Sequence, residues 1–101
     1  MKTTPTMKTT SNQTKLFKAF AALKDTATAK AFLLDLCTPS ELEAMTDRWT
    51  VVPLLKQGLS YRDIYAKTGV SLTTIGRVAR TLQFGNGGYE LLAERLKQAR
   101  H

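Results

Sequence analysis

Basic and hydroxyl-bearing side chains are concentrated between residues 60 and 82. The basic residues of this stretch are Arg62, Lys67, Arg77 and Arg80, against a single acidic residue, Asp63. Arginine and lysine bind phosphate oxygens, while the hydroxyl and methyl groups of serine and threonine contact base edges. These residue types therefore support noncovalent binding of a polyanion rather than the making or breaking of bonds.

The sequence offers little for catalysis or metal binding. It contains one cysteine, Cys37, and one histidine, His101 at the chain end. A nucleophilic cysteine needs a base close by, and neither a cluster of metal ligands nor a phosphate-binding glycine loop is present. We therefore expect no catalytic residue, no metal site and no cofactor.

Two short helices joined by a tight turn are predicted to position the basic stretch. Gly58 can end a preceding helix, and Ser60 with Asp63 forms the capping-box pattern that begins the next one. Gly69 suits the left-handed backbone of a turn, and Ser71 is a second N-cap residue. The pattern predicts a helix-turn-helix at about 60–82, a motif whose second helix enters the major groove of DNA.

Helical periodicity divides the second helix of this motif into a core side and two flanks. The apolar residues fall on the core side, namely Ile75, Val78, Ala79 and Leu82. One flank carries Thr73, Gly76 and Arg80, and the opposite flank carries Thr74, Arg77 and Thr81. One flank can therefore meet DNA while the other meets something else.

Candidate DNA contacts come from both helices of the motif. The residues predicted to lie nearest the base edges are Ser71, Leu72, Thr73 and Gly76. Lys67 and Arg80 are predicted phosphate contacts. For Arg62 two interpretations stay open, a bidentate contact to guanine and a solvated or phosphate-bound side chain.

The chain as a whole has 101 residues and a formal net charge of +7, a balance that favours a polyanionic partner. Residues 1–12 lack the apolar block of a signal peptide and are predicted to be a disordered basic arm ahead of a single domain at 13–101. No apolar run approaches the about 18 residues of a membrane span. We therefore expect a cytoplasmic protein without membrane contact.

Apolar periodicity and capping residues predict an all-α fold of about six helices. The earliest helix has Leu16, Phe17 and Phe20 on one face, and Asp25 can cap the next. The last is predicted from Tyr89 to about Arg100. Because short helices leave a modest core for a monomer, we expect a homodimer.

Two helix starts are predicted in the middle of the chain. Thr38 and Pro39 form an N-cap and first-turn pair, and Thr46 with Asp47 can begin a further helix. Pro53 lies inside that further helix, where proline removes a backbone hydrogen bond. We therefore predict a bend or a late helix start there.

Several segments together resemble the Trp repressor superfamily. They are Leu-Cys-Thr-Pro-Ser-Glu-Leu-Glu-Ala-Met at 36–45, Arg-Trp at 48–49, the helix-turn-helix at 58–82 and Gly-Asn-Gly-Gly-Tyr at 85–89. The pattern is most similar to the YerC/YecD Trp-repressor-like branch and extends over about residues 14–96. The resemblance implies an intertwined homodimer that presents two helix-turn-helix units to a palindromic duplex.

The resemblance also implies an effector site. The residues that match the corepressor pocket of Trp repressor are Thr38, Arg48, Thr74, Arg77, Val78 and Thr81, and they include the second flank found from periodicity. Trp repressor has glycine at the position of Val78, so a branched side chain here is expected to obstruct an indole. Tyr65 and Gly76 replace residues that Trp repressor uses toward DNA, which adds Tyr65 to the candidate DNA contacts.

Two hypotheses of function follow from the sequence. The leading one is a sequence-specific transcriptional regulator, a repressor, which binds double-stranded DNA as a homodimer and is controlled by a small effector that need not be tryptophan. The alternative is a protein-interaction or assembly module that uses the helix-turn-helix as a scaffold without specific DNA readout. Whether Arg48 and Arg77 hold an effector, or contact DNA or the partner subunit, stays open.

Overall fold

The computed structural model describes residues 6–99, with side chains from residue 10 onward. These residues form six helices and no strand: α1 Thr6–Ala21, α2 Thr26–Leu36, α3 Pro39–Lys56, α4 Tyr61–Thr68, α5 Leu72–Phe84 and α6 Gly88–Ala99. The predicted all-α class is confirmed. Contacts divide the chain into two compact units, Met1–Thr38 and Pro39–His101. The single domain at 13–101 stays a prediction.

The first unit consists of α1 and α2. Phe20 of α1 and Phe32 of α2 meet edge to face, with ring centroids 5.6 Å apart. Asp25 is the N-cap of α2, since its carboxylate accepts the Thr28 N–H at 2.7 Å. That hydrogen bond, with a second from the Thr28 side chain, holds the pKa of Asp25 below its ordinary value. Every buried residue of the described chain belongs to the second unit, so α1 and α2 retain exposed apolar side chains.

Helix α1 begins within the segment predicted to be a basic arm, and the arm itself stays a prediction. Residues 6–12 were expected to be disordered, yet α1 begins at Thr6, and the Thr14 hydroxyl donates to the carbonyl of Thr10 at 3.0 Å. A helix nucleated by apolar residues extends through polar ones because each added residue gains one backbone hydrogen bond. The remainder of the predicted arm, residues 1–5, lies outside the described residues.

Helix α3 corrects the predicted division of residues 39–56 into two helices. It begins at Pro39 as predicted but continues through Thr46, whose hydroxyl donates to the carbonyl of Leu42 at 2.8 Å instead of capping a new helix. The predicted late start at Pro53 is therefore wrong, because Pro53 lies inside α3 and its carbonyl accepts from the N–H of Gln57 at 3.0 Å. The bend at Pro53 stays a prediction.

The second unit has a small core drawn from α3, α4, α5 and the turn between α4 and α5. Its buried residues are Val51, Val52, Ile64, Val70, Ile75 and Val78. Helix α6 joins this unit by packing on α3, as two side-chain pairs illustrate. The rings of Trp49 and Tyr89 lie 6.1 Å apart, and Lys56 Nζ is 2.6 Å from the Glu90 carboxylate.

Candidate nucleic-acid interface and adjoining pocket

Local hydrogen bonds build the predicted helix-turn-helix. Ser60 caps α4 by accepting the Asp63 N–H at 3.1 Å, and Ser71 caps α5 by accepting the Thr74 N–H at 3.1 Å. Gly69 ends α4 in the left-handed region, with φ of 75°, and its N–H donates to the carbonyl of Tyr65 at 2.8 Å. The capped helices and their glycine turn match the sequence prediction.

Thr68 adds a contact that the sequence analysis missed. Its hydroxyl donates to the carbonyl of Ile64 at 2.7 Å and accepts the N–H of Val70 at 3.1 Å. The same side chain thus ties the end of α4 to the residue that enters the turn. Because Ile64 and Val70 are both buried, this link fixes the turn against the core.

Most of the predicted DNA contacts are exposed. The exposed residues are Arg62, Tyr65 and Lys67 of α4, the N-cap Ser71, and Leu72, Thr73 and Arg80 of α5, while Gly76 is partly buried. Ile75 and Val78 of the same helix are buried in the core, as periodicity predicted. Helix α5 is therefore anchored on one side, and the flank predicted to meet DNA is accessible.

A groove of about 810 Å³ extends along α5, and we call it the Gly76 groove. It is lined by Tyr61, Leu72, Thr73, Gly76, Arg77, Ala79, Arg80, Gln83 and Phe84. Four of these were not among the predicted site residues, namely Tyr61, Ala79, Gln83 and Phe84. The helical spacing of Thr73, Gly76, Arg80 and Gln83 could have identified Gln83, whereas Tyr61 comes from α4 and depends on tertiary packing.

A second pocket of about 420 Å³ lies beside it, and we call it the Arg48 pocket. It is lined by Arg48, Arg77, Val78, Arg80, Thr81 and Tyr89. The structure thus brings together four of the predicted effector residues, from α3 and α5. It adds Tyr89 of α6, which the sequence analysis had placed only in the last helix, and Arg80, which had been assigned to DNA.

Two of the predicted effector residues are placed differently. Thr74 does not line the Arg48 pocket, because its hydroxyl accepts a hydrogen bond from the Ser71 hydroxyl at 3.1 Å and is engaged at the start of α5. Thr38 belongs to the first unit, so its assignment stays a prediction. Val78 is 1% exposed and is shared between the core and the pocket wall.

The electrostatics of both cavities favour anions. Among the described residues, no acidic side chain lines either one, whereas the Arg48 pocket has three arginines and the Gly76 groove has two. Glu90 lies next to the pocket residue Tyr89 in sequence, but its carboxylate is paired with Lys56. Among the described residues no acidic side chain is paired with these guanidinium groups, which therefore suit phosphate or carboxylate partners.

In the described part of the chain, no group of histidine, cysteine, aspartate and glutamate could hold a metal ion. Between residues 6 and 99, none of the helices has the length and apolar character to cross a membrane.

The helices and the capped motif define an all-α helix-turn-helix protein. The family model described as Trp repressor protein matches residues 11–97. The chain belongs to the Trp repressor family, which confirms the resemblance seen in the sequence. Membership of this family suggests a DNA-binding regulator rather than an enzyme.

Relatives agree with this assignment along most of the chain. Uncharacterized protein YerC of Bacillus subtilis (strain 168) is 39% identical over 83 residues, which cover 82% of this chain and 80% of YerC. A Staphylococcus aureus crystal structure provisionally named a Trp repressor has 31% identity and a TM-score of 0.82, covering 93% of this chain and 96% of that one. A TrpR like protein from Eubacterium eligens ATCC 27750 has 42% identity and a TM-score of 0.77, covering 82% and 86%.

Proposed function

We propose that this chain is a sequence-specific, DNA-binding transcriptional regulator that acts as a repressor. The observation that carries the proposal is the capped helix-turn-helix with exposed Arg62, Lys67 and Arg80. Burial of Ile75 and Val78 holds α5 in place, which leaves Leu72 and Thr73 at its N-terminal end accessible to base edges. Basic side chains on both helices supply the phosphate contacts that set register on a duplex.

The proposal includes a homodimer that binds a palindromic site. Its support is the uncovered apolar surface within each unit. Leu16 and Phe20 of α1 are exposed in the first unit, and Leu91, Leu92 and Leu96 of α6 are exposed in the second. Large apolar side chains exposed together on one helix are typical of a protein interface, and a two-fold dimer requires two matching half-sites on the DNA.

The proposal places the protein in the cytoplasm and also includes an effector that need not be tryptophan. The Arg48 pocket supports the binding of an effector, because Arg48, Arg77 and Thr81 come together beside Tyr89 in a space of about 420 Å³. Val78 forms part of the wall, and its branched side chain reduces the room for an indole ring. An effector held here would contact α3, α5 and α6 together and could alter the position of the DNA-reading helix.

Selection of bound duplexes from random DNA, followed by a salt titration on the selected duplex, tests the proposal. We expect a palindromic sequence that binds at least a thousandfold more tightly than random DNA, with affinity that falls as salt is raised. Equal affinity for all duplexes would overturn specific regulation and favour the interaction-module hypothesis. When a basic residue of the helix-turn-helix such as Arg62 or Lys67 is replaced by alanine, Arg95→Ala is the matched control, because Arg95 is an exposed basic residue of α6 outside both cavities.

A further inference from the structure

We infer that the Gly76 groove recognises thymine through its C5-methyl group, so that thymine is a required base of the DNA that this chain selects. The inference rests on the proposed function and specifies which base edge its reading helix takes. It assigns a specificity role to Leu72 and Gly76, with the ring of Tyr61 beside Gly76 in the lining of the groove.

The first turns of α5 offer little hydrogen-bonding capacity to a base. Leu72 is 54% exposed and apolar, Ile75 is buried, and Gly76 has no side chain. Thr73 is exposed, whereas Thr74 is partly buried and its hydroxyl accepts a hydrogen bond from the Ser71 hydroxyl, so Thr73 has the more accessible of the two hydroxyl groups in residues 72–76. A bidentate guanidinium or amide pair, the usual means of reading guanine or adenine, is missing from these positions.

Gly76 is not required by packing within the described chain. A Cβ atom there would meet only Tyr61, whose Cε2 would lie 3.9 Å away, an ordinary van der Waals distance. Its φ is not positive, so the backbone does not require glycine either. Because glycine weakens a helix interior, its presence at the floor of the groove indicates a use outside the chain, which is the close approach of a base edge.

The apolar part of the Gly76 groove, formed by Leu72, Gly76 and the ring of Tyr61, disfavours any base edge whose polar atoms it would leave without a hydrogen-bond partner. In the major groove thymine presents a C5-methyl group beside its O4 acceptor, cytosine presents an N4 donor and no methyl group, and guanine and adenine present polar atoms alone. Polar atoms set against Leu72 and the ring of Tyr61 would lose water without gaining a partner, which makes those bases unfavourable. The methyl group of thymine gains contact area in the same place.

Charge complementarity favours duplex DNA over a protein segment as the occupant of the groove. Arg77 and Arg80 lie along it, and no acidic side chain of the described residues does. In DNA, the methyl edge of thymine is apolar and is flanked by phosphates. In the Gly76 groove, Leu72 and Gly76 are apolar and are flanked by arginines, so the two surfaces match. A docked apolar peptide would leave both guanidinium groups without an anionic partner.

Replacing thymine by deoxyuridine in the selected duplex tests the inference, because uracil lacks only the C5-methyl group and keeps the same base pairing. We expect at least one thymine in each half-site at which the replacement weakens binding about fourfold, which corresponds to about 0.8 kcal/mol for one buried carbon. A selected duplex whose affinity is unchanged by every uracil would overturn this inference and leave the proposed function intact. Failure to select any duplex would overturn both.

Leu72→Ala separates the groove from other sources of the same effect. Leu72 is exposed, so the variant is expected to keep its helical circular dichroism and thermal midpoint. It is expected to bind the thymine and uracil duplexes with nearly equal affinity, because the contact with the methyl group is lost. A Leu72→Ala variant that still prefers thymine about fourfold would contradict the assignment.

Gly76→Ala tests the floor of the groove, with Gly88→Ala as a matched control. A Cβ at Gly88 would meet nothing within 4 Å, and Gly88 lies outside the groove. We expect Gly76→Ala to weaken binding of the thymine duplex at least tenfold and Gly88→Ala to leave it unchanged. Equal affinity of both variants and the wild type would overturn the role of Gly76.

Discussion

Gly76 lies beside the ring of Tyr61, and a Cβ atom at Gly76 would be 3.9 Å from Tyr61 Cε2, an ordinary van der Waals distance. Helix α5 therefore has a glycine in its interior that neither its backbone nor its neighbours require. Such a position lowers helix stability without a compensating contact inside the chain. The relationship predicts opposite effects of one substitution on folding and on DNA binding.

Gly76→Ala is expected to raise the free energy of unfolding by up to about 1 kcal/mol, because alanine restricts the unfolded chain and favours the helix. Urea unfolding of the wild type and the variant measures the difference. Gly88→Ala should give a smaller gain, since Gly88 is the first residue of α6 rather than an interior one. A loss of stability in Gly76→Ala would show that Tyr61 cannot accommodate the added methyl group.

The helix-turn-helix could be predicted from sequence because its determinants are local. Ser60 and Ser71 act through hydrogen bonds three residues along the chain, and Gly69 acts through its own backbone angle. The same rule failed at Thr46, where the hydroxyl has a second partner available, the carbonyl of Leu42. Choosing between these two partners depends on whether the chain continues as a helix, which the packing of Val51 and Val52 favours.

The cavities could be predicted only in part. Arg48, Arg77, Val78 and Thr81 were found through the family resemblance, and periodicity found the flank that holds Arg77 and Thr81. Tyr89 was missed as a lining residue because it reaches the Arg48 pocket through the packing of α6 on α3. These two helices are far apart in the sequence, so local patterns do not predict their contact. Tyr61 was missed for a similar reason, since its place depends on how α4 meets α5.

Ser71 allows helix capping to be separated from DNA binding. Ser71→Ala removes the acceptor for the Thr74 N–H and is expected to cost about 1 kcal/mol of stability. Ser71→Asp keeps an N-cap acceptor, so its stability in urea should match the wild type, but it adds a negative charge where the DNA backbone is proposed to approach. DNA affinity equal to the wild type in Ser71→Asp would place the start of α5 away from DNA.

Arg62 is exposed, and no acidic side chain of the described residues is paired with it. If it reads guanine, Arg62→Ala should cost about 1–3 kcal/mol on the selected duplex and relax the preference at one base pair. Lys67→Ala should instead weaken binding to all sequences and lower the salt slope by about one. Equal losses for Arg62→Ala on selected and random duplexes would assign Arg62 to phosphate.

Asp25 is expected to make the stability of the protein depend on acid pH. Hydrogen bonds from Thr28 hold its pKa below the ordinary value of 3.8, so its stabilising contribution is complete above that pH and is lost as the pH falls through the lowered pKa. Asp25→Asn keeps a capping side chain but does not titrate. The wild type should therefore exceed the variant in unfolding free energy most at neutral pH, and urea unfolding below pH 3.8 should show the difference shrinking. A difference that is constant with pH would contradict the role of the carboxylate charge.

Val78 is expected to determine whether the Arg48 pocket admits an indole. Its side chain is 1% exposed, and Val78→Gly should cost about 2–4 kcal/mol through the lost core contacts and the helix-interior glycine. The same change enlarges a pocket that already contains Arg48, Arg77 and Thr81.

Calorimetry with tryptophan should therefore give no heat for the wild type and a measurable heat for Val78→Gly. Adding Arg48→Ala to that variant should abolish the heat, because the guanidinium that would bind the ligand is removed. Heat from the wild type would show that Val78 leaves room for the ring, and tryptophan would then be a candidate effector of this regulator.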